Sequence, residues 1–158
     1  MGNNRGKSPS ALTKWLLIAR TAGRCQICNK FLLTDRQLPP FKCPKGFAVI
    51  LGAKVTTATG NHYSYVNDGD PIPKESSIEF RVGFGKIRRP FTVKWQVVNT
   101  GQEALRVGQG RGEFTDEATN STTHIETTLY KGSHSIQCFI MKAGKCVAKS
   151  NIFIVNVQ

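Results

Sequence analysis

The run Ser77-Ile78-Glu79-Phe80-Arg81-Val82-Gly83-Phe84 constrains the fold more than any other stretch. Ile78, Phe80, Val82 and Phe84 alternate with polar or small residues, the period of a strand with one buried and one wet face. A helix would scatter these four side chains around its axis. The same pattern of short apolar runs between turn signals recurs along the chain. Phe47–Val55 reads as a first strand, Asn67-Asp68-Gly69-Asp70-Pro71 as a dense turn, and Arg88-Arg89-Pro90 as a turn into a strand over Phe91–Val98. Thr122–Leu129, Ser135–Met141 and Cys146–Val157 follow, with a hairpin turn at Lys142-Ala143-Gly144-Lys145. About seven strands with no convincing helix between them predict an all-β domain, an immunoglobulin-like antiparallel β-sandwich.

Residues 1–45 read differently. Residues 1–10 are polar and rich in Gly, Pro and Ser, the composition of a disordered tail. Ser8 or Ser10 can cap a short helix, Ala11–Ala22, whose Leu12, Trp15, Leu16 and Ala19 fall at i, i+3, i+4 and i+7, and Gly23 stops it. Pro39-Pro40 and Cys43-Pro44 mark a linker. The expected plan is a tail over 1–10, a helix and cysteine knuckle over 11–33, a linker over 34–45 and the sandwich over 46–158. Trp15–Ala19 is too short to span a bilayer, which takes about 20 apolar residues. No small-residue cleavage site follows it, and Arg20 and Arg24 do, so the reading is a cytoplasmic protein without a membrane segment.

The formal net charge is +12, from 22 Lys and Arg against 10 Asp and Glu. The excess is densest before residue 46, where Asp35 is the only acid. Such a segment attracts polyanions, nucleic acid among them; the plainer reading is a solubilising charge. Five cysteines, an odd count without a secretion signal, argue against structural disulfides. Cys25-Gln26-Ile27-Cys28 is a Cys-x-x-Cys knuckle, whose two thiolates can share a tetrahedral zinc. Cys43 would be a third ligand and the fourth is unassigned; the alternative is a knuckle with free thiols.

This helix and knuckle resemble the opening of HNH endonuclease domains. An HNH enzyme needs a histidine to activate water and further metal ligands downstream, and residues 33–61 contain no His. The catalytic half is missing, so nuclease activity is not expected. Nor is there a phosphate-binding Gly-rich loop, a nucleophile elbow, a His-Glu-x-x-His motif or a telling pair of carboxylates. The expectation is a protein that binds rather than catalyses.

The polar residues that could bind lie between Phe91 and His134, held between strands. Trp95-Gln96-Val97-Val98-Asn99-Thr100-Gly101-x-Glu103-Ala104, then Arg111-Gly112-x-Phe114, then Glu126-x-Thr128-x-Tyr130-x-Gly132-x-His134 resemble the C-terminal sensor domain of adenylyl/guanylyl cyclase and SMODS-associated systems (AGS-C). That family is usually fused to, or encoded beside, nucleotidyltransferases of bacterial anti-phage signalling. The resemblance implies a sensor of a nucleotide second messenger or a phage-associated cue. It also implies an effector or nucleotidyltransferase chain as partner, neither of which this sequence contains in full.

A cyclic nucleotide or oligonucleotide needs an aromatic face, an Arg for phosphate, and amide or carboxylate groups for its edges. Trp95 and Tyr130 can supply the first, Arg111 the second, and Asn99, Glu126 and His134 the third. Each has a plainer reading. Trp95 is the buried centre of a sandwich, Asn99-Thr100-Gly101 a turn, Tyr130-x-Gly132 a corner anchored by a hydroxyl hydrogen bond. Glu126 and Arg111 pair across the sheet, His134 is a hydrogen-bonded residue at the start of a strand, and Arg88-Arg89 is a solvated turn rather than a phosphate contact. Two rival functions stand beside the sensor: half of a split or degraded HNH nuclease acting on DNA with a partner, and a protein-interaction domain recognising a phage component.

Overall fold

A computed structural model describes residues 36–45, 49–115 and 120–158. The tail over 1–10, the helix over Ala11–Ala22 and the Cys25/Cys28 knuckle lie outside these described residues. Leu33–Gln158 forms a compact unit by itself. Its elements in chain order are β1 (Ile50–Thr56), β2 (His62–Tyr65), β3 (Ser77–Gly83), β4 (Thr92–Asn99), α1 (Gln102–Arg106), β5 (Thr123–Thr127), β6 (Gly132–Lys142), β7 (Lys145–Lys149) and β8 (Phe153–Val157).

The strands make two antiparallel sheets. The first runs β2-β1-β3-β5. In the second, the long β6 pairs with β4 along one edge, while β7 and then β8 share its other edge. The fold is therefore an all-β sandwich of eight strands rather than about seven. Two differences account for the count. The apolar run Cys146–Val157 is broken because Ser150 Oγ donates to Asn151 O at 2.6 Å and accepts from the Cys138 N–H at 3.1 Å, which turns the chain between β7 and β8. β2 is a four-residue edge strand with only Tyr65 buried, too short for a clear period.

The alternation in β3 buries Ile78, Phe80 and Val82. They meet Val93 and Trp95 of β4, Ile136, Cys138 and Ile140 of β6, and Phe153, Val155 and Val157 of β8 in one core between the sheets. Tyr65 closes one side: its hydroxyl donates to Gly69 O at 3.1 Å and accepts from the Asn156 N–H at 3.1 Å.

The outer face of the second sheet is covered as well. Residues 36–45 have no helix or strand, yet they lie on the sheet. The buried Gln96 side chain donates to Gln37 O at 2.7 Å and Gly112 O at 2.8 Å, and the Arg36 guanidinium donates to Gln137 Oε1 at 3.1 Å. Phe41 packs edge-on to Phe114 and Phe139, each 5.6 Å away, in a second cluster with Cys43, Met141 and Cys146. Cys43, read as a zinc ligand, thus lies with Cys146. Among the described residues no three metal-binding side chains come together.

Candidate functional site

A cleft of about 410 Å³ opens where the sheets diverge, within the size range of small-ligand sites. Its lining comes from β3 and β5 on one side, and from β4, β6 and β8 on the other. Ile78, Phe80, Ile136, Val155 and Val157 are its apolar part and belong to the core. Asn99, Arg111, Glu126, Tyr130 and His134, which the sequence singles out, all line it. Trp95 does not. The β4 alternation turns its indole into the core, where it is 2% exposed, and the His124 ring stacks on it at 5.1 Å and 25°. That ring leaves the indole face no room for a base.

Each polar side chain is placed by backbone geometry. At the end of β4 the Asn99 N–H donates to Arg111 O at 3.1 Å, and its Nδ2 donates to Gln109 O at 3.1 Å. These bonds fasten the segment after α1 along β4 and bring Arg111 to the cleft. The Arg111 guanidinium is 3.7 Å from Glu126 Oε2, an ion pair too long for a hydrogen bond. The other oxygen, Oε1, is 2.7 Å from His124 Nε2. Residues 124 and 126 share the inward face of β5, so an edge strand turns polar groups inward and leaves Ile125 64% exposed.

Tyr130 and His134 follow β5. The His134 Nε2–H donates to Tyr130 O at 2.7 Å; a carbonyl only accepts, so Nε2 holds the proton. Burial pushes the imidazole below its ordinary pKa, and the Tyr130 carbonyl offsets part of that. The ring is neutral near pH 7 and brings no positive charge to the cleft.

The rest of the motif holds these residues in place. Gly101 has an ordinary φ of −70°, so its lack of a side chain is what matters. A Cβ there would lie 2.0 Å from Lys131 O, and one at Gly132 would lie 2.7 Å from the Gly101 Cα. The two glycines let the end of β4 touch the turn that carries Tyr130. Thr100 donates to Ser133 O, and Glu103 accepts from the Lys131 N–H at 2.7 Å and from Lys74 at 2.6 Å. Those bonds, that to the Lys131 N–H foremost, hold the Glu103 carboxyl below its ordinary pKa. Sequence reasoning missed His124, Glu103 and the glycine contact. For His124 the available signal was its position two residues before Glu126 on one strand.

With the geometry in place, comparison with known families is informative. The model of the adenylyl/guanylyl and SMODS C-terminal sensor domain matches residues 35–158. The chain belongs to this family. The AGS-C domain takes in the whole sandwich and the segment laid over its outer face. It is a sensor domain, so its own part is recognition and not catalysis. A search of curated proteins gives no match. Among the described residues no helix is long and apolar enough to cross a membrane.

Proposed function

We propose that this AGS-C domain senses a nucleotide second messenger of bacterial anti-phage signalling, binding it in the cleft without chemical turnover. One observation carries the reading. Asn99, Arg111, Glu126, Tyr130 and His134, separate in sequence, surround a single cleft with an apolar interior. In the bound state Tyr130 offers its ring to the base and Arg111 meets a phosphate, while Asn99, Glu126 and His134 face the base or ribose edges. The chain then passes the signal to an effector or nucleotidyltransferase partner.

Calorimetric titration of the whole chain with cyclic mono- and dinucleotides tests this. Binding that Arg111→Ala weakens about 10-fold or more is expected, as for a lost charged hydrogen bond. Silence across the panel would end the nucleotide reading. A second reading, recognition of a phage protein, is favoured by the exposed apolar side chains of Ile125 and Leu129 along an edge strand and the turn after it. Capture of a defined phage component by the wild type, lost in Ile125→Lys, is its signature. Zinc held by Cys25, Cys28 and Cys43 is a separate proposal. Metal analysis of the purified chain tests it, and a metal-free, folded protein refutes it.

A further inference from the structure

We infer that the cleft, taken as the nucleotide site proposed above, selects a guanine base. The argument starts from the depth of its charges. The Arg111 side chain is 55% exposed and that of Glu126 only 26%. The cation stands nearer the mouth, where a phosphate keeps its water, and the carboxylate stands further in, where the base goes. With one cation, one carboxylate and a neutral His134, the cleft has no surplus positive charge to draw a polyphosphate inside.

What the interior offers is therefore hydrogen-bond acceptors. Glu126 Oε1 is taken by His124, but Oε2 accepts no hydrogen bond from a described residue. An ionised carboxylate can only accept. Asn99 commits its Nδ2 to Gln109 O, which leaves Oδ1 as the atom it can present. Guanine alone among the common bases has two adjacent donors, N1–H and the 2-amino group, spaced to meet a carboxylate. Adenine would set the lone pair of N1 beside the Glu126 charge, cytosine that of N3, and uracil two carbonyls. A carboxylate facing a lone pair is a lost bond and a repulsion, which discriminates more strongly than shape.

Calorimetry of the whole chain with the 5′- and 3′,5′-cyclic monophosphates of guanosine, inosine, adenosine and cytidine, and the cyclic dinucleotides of guanosine and adenosine, tests the inference. Guanosine compounds should bind about 10- to 100-fold tighter than adenosine compounds, the range for a charged hydrogen-bond pair. Inosine, which keeps N1–H and lacks the amino group, should fall about 10-fold below guanosine. In Glu126→Gln, checked for a native circular-dichroism spectrum, the guanosine preference should collapse to near unity. Adenosine compounds binding as well as guanosine compounds overturn guanine selection and leave the nucleotide reading standing. So does a folded Glu126→Gln that keeps the preference. If that variant does not fold, equal affinities for guanosine and inosine in the wild type overturn the selection. Silence with every compound removes the nucleotide reading and this inference with it.

Discussion

Replacing Gly101 with alanine puts the domain's central contact to a direct test. The added Cβ would lie 2.0 Å from Lys131 O and 3.1 Å from the Lys131 carbonyl carbon. Close C···O contacts in proteins are about 3.3 Å, so the two backbones must part by roughly 1.3 Å. Neither side yields easily. Gly101 is anchored by β4 before it and by the buried Ala104 of α1 after it, and Lys131 leads directly into β6. Parting them also breaks the bond from Thr100 to Ser133 O. Overpacking at a tight site costs about 1–3 kcal/mol and the hydrogen bond about 1 more, so about 3 kcal/mol of stability is expected to be lost. With a urea m-value of about 2 kcal/mol/M for a domain of this size, the midpoint should fall by roughly 1.5 M. Gly52→Ala is the control, since its Cβ would meet nothing within 4 Å and its midpoint should stay within about 0.5 kcal/mol of wild type. Gly132→Ala should fall like Gly101→Ala, and the double variant by less than the sum, because one separation relieves both clashes. A Gly101→Ala midpoint equal to that of Gly52→Ala would refute the account of the motif as a backbone contact.

Other consequences are as specific. Burial lowers the folded pKa of His134, so the unfolded chain takes up a proton first as pH falls through about 6.5. The stability that this histidine confers is full above that pH and drains away as pH falls toward the folded value. Urea midpoints from pH 8 to 5 should decline less steeply in His134→Asn, and parallel curves would refute the shift. Burial raises the Cys138 thiol to about 11, and burial with the neighbouring Cys43 raises that of Cys146 to about 12. Neither should be alkylated in the native protein at pH 8, and both should be in urea; rapid native labelling by mass spectrometry would contradict the packing. Phe41→Ala removes a half-buried ring from contact with Phe114 and Phe139, a loss of about 1–2 kcal/mol. A lower melting temperature and faster exchange of the Gln37 N–H should accompany it. No change in either would mean the segment is not held by that ring.

Local pattern decided most of the scaffold. The alternation of Ile78, Phe80 and Val82 fixed β3 and its buried face, and the turn at Lys142-Ala143-Gly144-Lys145 joins β6 to β7 where its residues indicate. Such features need only the chain's own period and the backbone preferences of its turn residues. α1 was not legible because five residues with one buried side chain have no period to read. β2 failed for a similar reason.

The site divides along the same line. The identities of Asn99, Arg111, Glu126, Tyr130 and His134 were readable as an ordered set of motifs, and so was the alternative that Arg111 and Glu126 pair. That they surround one cleft depends on how two sheets face each other, which no local period encodes. The tertiary structure also reassigned Trp95. As a residue type it suits base stacking, but β4 points it into the core and β5 lays His124 over its face. The glycines show the distinction most sharply. Sequence read Asn99-Thr100-Gly101 as a turn, a statement about dihedral freedom. The Gly101 φ is ordinary; the glycine is needed because Lys131, thirty residues later, brings its carbonyl where a Cβ would be. Sequence alone determined which stretches are strands and which residue types recognition would use. Steric contact between distant backbones decided where those residues stand, because contact depends on positions in space and not on order along the chain.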